Sequence, residues 1–134
     1  MDQAIVIHPF FPSGRRIIAV SDIHGNLPFF TALMEKIRLT PEDILILLGD
    51  MLEKGRDSLP LLRQLMELSK THTVYPICGN CDGLVLRFFE TDELDSRFFA
   101  SYLPRHPEST LRQLAREGGF EQWDDLPRLR RDLR

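Results

Sequence analysis

Apolar runs alternate with stretches of helical periodicity from Arg16 to Ile77. Arg16 to Ser21 (RIIAVS) is a β-type run that ends abruptly at Asp22. Asn26 stands as an N-cap, and Leu27, Phe29, Phe30, Leu33, Met34 and Ile37 recur at helical spacing up to Leu39. Thr40-Pro41 breaks that helix. Asp43 to Leu48 (DILILL) is an almost unbroken apolar run, which fits a strand buried on both faces, as in a parallel sheet. Ser58 caps a second helix through Ser69, with Leu59, Leu62, Leu65, Met66 and Leu68 on or near its buried side. Thr73 to Ile77 (TVYPI) is the next strand and stops at Cys78-Gly79-Asn80. The order is β-α-β-α-β, and right-handed crossovers place the three strands parallel in one sheet.

The flanks are less regular. Ala4 to Ile7 is a short apolar run that pairs as a hairpin with the first strand or lies as an arm over the core. Beyond Leu84 the pattern is helical: Leu84 to Phe89, Leu94 to Tyr102, then Ser109 to Glu117, ended by Gly118-Gly119. The phenylalanine pairs 29/30, 88/89 and 98/99 read as core, and the stretch from Trp123 to Arg134 is basic with no clear end signal. At 134 residues the chain is one domain, residues 1–134, with a motif-bearing part at 16–90 and a helical C-terminal segment at 91–134. The 43% apolar and 28% charged residues are those of an ordinary globular protein. A formal charge of −3 argues against a generic nucleic-acid or anionic-membrane partner. No run approaches the length of a membrane span, Met1 to Phe10 has no basic region of a secretory signal, and the two cysteines fit a reducing cytoplasm.

The chemistry lies where the strands stop. Asp22-Ile23-His24, Gly49-Asp50 and Gly79-Asn80-Cys81-Asp82 each follow the carboxyl end of a strand. In an open α/β sheet those ends share one rim, and ligands bind there. Asp22 and His24, two apart on an extended segment, reach one ion from the same side. Glycines beside Asp50 and Asn80 let the backbone pass close to the ions. Carboxylate, imidazole and amide oxygen suit Mn, Fe, Zn or Mg. A carboxylate shared by two ions, a place Asp50 fits, holds them roughly 3.5–4 Å apart, the spacing used for phosphoryl hydrolysis.

D-x-H, then G-D-x-x-x-x-G, then G-N-x-[DE], each after a strand, resembles the calcineurin-like metallophosphoesterases. The blocks read Asp22-Ile23-His24-Gly25-Asn26, Gly49-Asp50-Met51-Leu52-Glu53-Lys54-Gly55 and Gly79-Asn80-Cys81-Asp82. Gly49 to Ser58 is especially similar to the serine/threonine protein phosphatase branch. The resemblance spans about Arg16 to Glu90 and implies the first half of that family's α/β sandwich. It implies that Asp22 and His24 bind a first metal ion, that Asp50 bridges two, and that Asn80 binds the second. It places Lys54 where these enzymes carry a phosphate-binding arginine, Cys81 where many carry a catalytic histidine, and Glu53 where an acid orients that histidine. The implied substrate is a phosphate ester: phosphoprotein, nucleotide or small phosphoester.

Taken singly, Asp22 reads as a turn former, His24 as a surface histidine, and Lys54 and Arg56 as solvated charges. His8, His72 and His106 end no matching strand and read as structural or exposed. Cys78-Gly79-Asn80-Cys81 also matches a thiol–disulfide C-x-x-C motif, which leaves Asp22, His24 and Asp50 unexplained, and no second cysteine pair exists for a zinc knuckle. The family's second half carries further histidines and a second sheet. After Asp82 the sole histidine is His106, outside any G-H block. The site is therefore expected to be incomplete, with one ion or none and little activity in this chain. A non-catalytic binding or assembly module is the alternative. Without a second sheet, the face with residues from Ile17 to Val20 and Ile44 to Leu48 is expected to need the C-terminal helices, or a second copy of the chain, to cover it.

Overall fold

The computed structural model describes residues 6–90 and 101–119. Strands β1 (Ile17–Val20), β2 (Ile44–Leu47) and β3 (Thr73–Pro76) form one parallel sheet in the order β1-β2-β3. Helices α1 (Leu27–Ile37) and α2 (Ser58–Ser69) are the two crossovers. The strand order advances one way with one handedness, so both helices pack on the same face. Val20, Leu45 and Leu47 meet Phe30 of α1 and Leu61 and Leu65 of α2 in the main core. Asn26 caps α1, its side-chain oxygen accepting from the Phe29 N–H at 3.2 Å.

Four expectations change in detail. The inward stripe of α2 runs through Ser58, Leu61 and Leu65, whereas Leu62 and Met66 are exposed. Asp57, not Ser58, occupies the N-cap, and Ser58 begins the helix as a buried residue. Phe30 is core but Phe29 lies on the solvent face. Helix α3 (Asn80–Glu90) starts at Asn80, so the third motif is its first turn.

The opposite sheet face is half open. β2 buries Ile44, but Ile17, Leu48 and Ile77 are each about half exposed, at 53%, 51% and 50%. The described C-terminal residues do not cover it. The 3-10 turn Leu103–Arg105 and helix α4 (Thr110–Glu117) instead build a second core, where Leu103, Leu111 and Ala115 meet Leu52, Val85 and Phe88. Val6 and Ile7 are exposed and outside any strand, so these two residues form no hairpin; Ala4 and Ile5 lie outside the described residues. So do Phe98, Phe99, the stretch from Trp123 onward and most of the helix expected from Leu94. Among the described residues no helix is long and apolar enough to cross a membrane.

The buried Asp43, just before β2, ties the sheet to the end of α1. It accepts two bonds from the Arg16 guanidinium, at 2.8 and 2.7 Å, and one from the Thr40 N–H at 2.8 Å. The Arg16 fork, then the Thr40 amide, hold its carboxyl well below the usual carboxylate range. A lowered folded-state pKa gives stability that is complete above the unfolded value, about 3.9, and is lost as pH falls toward the folded one. Asp43→Asn should therefore be less stable than the wild type near neutrality, and the gap should close as pH falls below about 4. Urea midpoints down to about pH 2 check this, and a gap that does not change with pH would reject the ion pair as its source.

Candidate metal centre at the sheet rim

The rim is built by extending the β1–β2 ladder past the strands. Asp22 N–H donates to the Gly49 carbonyl at 3.2 Å, His24 N–H to Asp50 at 2.9 Å and Gly25 N–H to Met51 at 2.8 Å. The two motif loops are thus zipped together by backbone bonds. The third joins through Asp82, a buried carboxylate that accepts from Leu52 N–H at 2.9 Å and Gly79 N–H at 3.0 Å. The motif pattern includes Asp82 but assigns it no part; here it pins the third loop to the second.

The glycines serve contact between loops. A Cβ on Gly79 would stand 2.2 Å from Asp50 Oδ1, and one on Gly55 would stand 2.0 Å from the His24 carbonyl oxygen. Any side chain at either position would force the rim apart.

His24 faces the centre. Its Nδ1 lies 3.3 Å from the Leu52 carbonyl, and its Nε2 lies 3.1 Å from the Lys54 ammonium. A carbonyl needs a donor and an ammonium needs an acceptor, so both neighbours select the tautomer with the proton on Nδ1 and the lone pair on Nε2. This is the arrangement of metal-ligating histidines, whose other ring nitrogen is anchored to a carbonyl or carboxylate. Around Nε2 stand Asp22 Oδ1 at 3.4 Å and Asp50 Oδ2 at 3.9 Å. Asp50 Oδ1 accepts from the Cys81 N–H at 3.0 Å, which aims the other oxygen at His24. A His24 ring nitrogen, an Asp50 oxygen and the Cys81 sulfur all lie within 4.8 Å of one another. The donor set and the Lys54 cation seated among these groups fit a divalent ion.

Electrostatics follow the same geometry. The Ser21 hydroxyl bond, then the nearby His24 and Lys54, hold the exposed Asp22 below its ordinary value. Burial first, and the charge of Asp50 second, push the Cys81 thiol up. Asn80 is exposed on the first turn of α3, its amide donating to Cys81 Sγ at 3.6 Å.

Glu53 stands differently from expectation. Its carboxylate is fully buried and accepts from Tyr102 Oη at 2.9 Å, Ser109 Oγ at 3.1 Å and Thr110 N–H at 2.8 Å. These partners all belong to the C-terminal segment. Gln113 adds to the joint, accepting from Leu59 N–H at 3.2 Å and donating to the Gly55 carbonyl at 3.0 Å. Of the other histidines, His106 stacks on Tyr102 at 3.9 Å between ring centres, His72 bonds with Thr71, and His8 is exposed.

Five residues here have left-handed backbone: Asp22, His24, Asp50, Glu53 and Lys54, with φ between 48° and 67°. Such angles are uncommon outside glycine and cluster at functional sites.

The family model described as calcineurin-like phosphoesterase matches residues 15–134. "Serine/threonine-protein phosphatase 2" of Salmonella typhimurium is 31% identical over 80 residues, and its Escherichia coli counterpart is 32% identical over 80 residues. Each match covers 59% of this chain and 35% of the relative, so the chain spans about a third of their length. The crystal structure of a protein provisionally described as a diadenosine tetraphosphatase superposes with a TM-score of 0.52 at 28% identity, over 69% of this chain and 37% of that one. A cold-active protein-tyrosine phosphatase from a psychrophilic Shewanella shares the fold, with a TM-score of 0.50 at 19% identity over 71% and 33% of the two chains. With strand order, rim motifs and family model in agreement, the chain belongs to the calcineurin-like phosphoesterase family.

Proposed function

We propose that this chain is the metal-binding part of a phosphoesterase that hydrolyses phosphate esters with water. The observation that carries the reading is the position of His24 Nε2, 3.4 Å from Asp22 Oδ1 and 3.9 Å from Asp50 Oδ2, with Nδ1 beside the Leu52 carbonyl. Asp22, His24 and Asp50 would hold a first divalent ion, and Asp50 and Asn80 would offer donors to a second where the site is complete. When bound, such ions activate water for in-line attack and neutralise charge on the phosphate oxygens. Lys54 is exposed beside His24, and its ammonium would offer a positive charge to a phosphate oxygen at the rim. Glu53 is a positioning residue: it locks the loop that carries Asp50 and Lys54 to the C-terminal segment.

Calorimetric titration of the chain with Mn, Zn and Mg tests this. At least one saturable site is expected, and inorganic phosphate should bind only to the metal-loaded form. Asp50→Asn should weaken ion binding by at least about 100-fold while the far-ultraviolet dichroism stays that of the wild type. Near-normal uptake by the folded variant would reject Asp50 as a ligand.

A further inference from the structure

We propose that Cys81 is itself a metal ligand, which with His24 and Asp50 offers one cation a nitrogen, oxygen and sulfur donor set that favours zinc or cobalt over manganese and magnesium. This rests on the reading of the rim as a metal centre and adds a donor that its motif pattern does not contain.

Geometry couples the thiol to the donors proposed above. Cys81 N–H holds Asp50 Oδ1 at 3.0 Å, so the residue that orients the carboxylate also presents its sulfur to the same cluster. Its sulfur is buried, and the polar contact it receives from Asn80, at 3.6 Å, is weak. A second observation marks the place as one for a cation: the Lys54 ammonium already sits there, 3.1 Å from His24 Nε2. The three donor atoms lie within 4.8 Å of one another. A tetrahedral ion at about 2.0–2.3 Å from each needs the cluster to close by about 1 Å, which side-chain rotation supplies. Asp22, on the exposed side, fills the fourth position or leaves it to water, the open arrangement of catalytic zinc sites. Sulfur is the soft member of the set, and it turns a hard-ion site toward zinc and cobalt. On binding, the sulfur–hydrogen bond is exchanged for a sulfur–metal bond and the proton leaves to solvent.

Titration of the metal-free chain with cobalt(II), followed by absorption and calorimetry, tests the assignment. The wild type and Cys78→Ser should both develop the near-ultraviolet charge-transfer band of a cobalt thiolate, and Cys81→Ser should lack it. Cys81→Ser should also lose at least about 100-fold in zinc affinity but less than about 10-fold in manganese affinity. Cobalt uptake without the band, or a band lost in Cys78→Ser and kept in Cys81→Ser, overturns the Cys81 assignment and leaves the metal centre standing. No uptake of cobalt, zinc or manganese overturns both. X-ray absorption at the zinc edge needs no variant: a sulfur neighbour at about 2.3 Å is expected, and a shell of nitrogen and oxygen alone overturns the assignment.

Discussion

Glu53→Ala should cost about 3–5 kcal/mol of stability, because it strips three hydrogen bonds from a buried carboxylate and strands their donors. Tyr102 Oη, Ser109 Oγ and Thr110 N–H all converge on it, from 49, 56 and 57 residues away in sequence. Leu103, Leu111 and Ala115 of the same segment pack with Leu52, Val85 and Phe88 beside that joint. Hydrogen exchange should therefore accelerate most across residues 101–119 and least in the sheet. Glu53→Gln keeps the shape and part of the bonding, so its loss should be roughly half as large. Tyr102 gives an optical readout. Burial first, then the charge and bond of Glu53, push its hydroxyl pKa up. A raised folded-state value is stabilising below the unfolded pKa, about 10, and that contribution disappears as pH climbs toward the folded value. In Glu53→Ala the tyrosine should titrate at lower pH. An unchanged ultraviolet titration together with wild-type stability would reject the joint.

Gly79→Ala should abolish saturable metal binding more completely than removal of a single ligand. Its methyl would stand 2.2 Å from Asp50 Oδ1 and 2.3 Å from the Asp50 nitrogen, where no real contact is found. Relief requires the third loop to leave the second, which breaks the Cys81 N–H bond to Asp50 and the Asp82 bond to Leu52. Overpacking of this kind costs about 1–3 kcal/mol or more, and ion affinity should fall well beyond about 100-fold. Gly83→Ala is the control. It lies inside α3 with only an ordinary contact, 3.7 Å to Cys78 Sγ, so it should stabilise by up to about 1 kcal/mol. Calorimetric titration of both variants decides the matter: metal uptake by Gly79→Ala equal to that of Gly83→Ala would show that the loops do not depend on the close approach.

Local physics made much of this legible. The run from Ile44 to Leu47 and the cap at Asn26 follow from apolar patterning and side-chain chemistry within a few residues. The convergence of Asp22, Asp50 and Asn80 on one rim follows from parallel topology. What stayed hidden depends on partners distant in sequence. Nothing near Glu53 signals that its charge is satisfied by Tyr102, Ser109 and Thr110. The α3 start at Asn80 was obscured because Cys78-Gly79-Asn80-Cys81 carries no apolar periodicity and Gly83 weakens the helix that follows. On α2, Leu61 and Leu62 are equally apolar, and only the seat of the helix on the sheet decides that Leu61 goes inward.

The left-handed backbone at Asp22, His24, Asp50, Glu53 and Lys54 sets protein durability against chemistry. Glycine or asparagine would occupy those angles with less strain than histidine or lysine, yet could not supply an imidazole or an ammonium. A laboratory lineage selected for heat resistance alone would drift toward glycine or asparagine at positions 24 and 54 and lose the centre while keeping the sheet. One selected for turnover would retain the strained residues and collect its compensating substitutions elsewhere, in the two cores that hold the rim together.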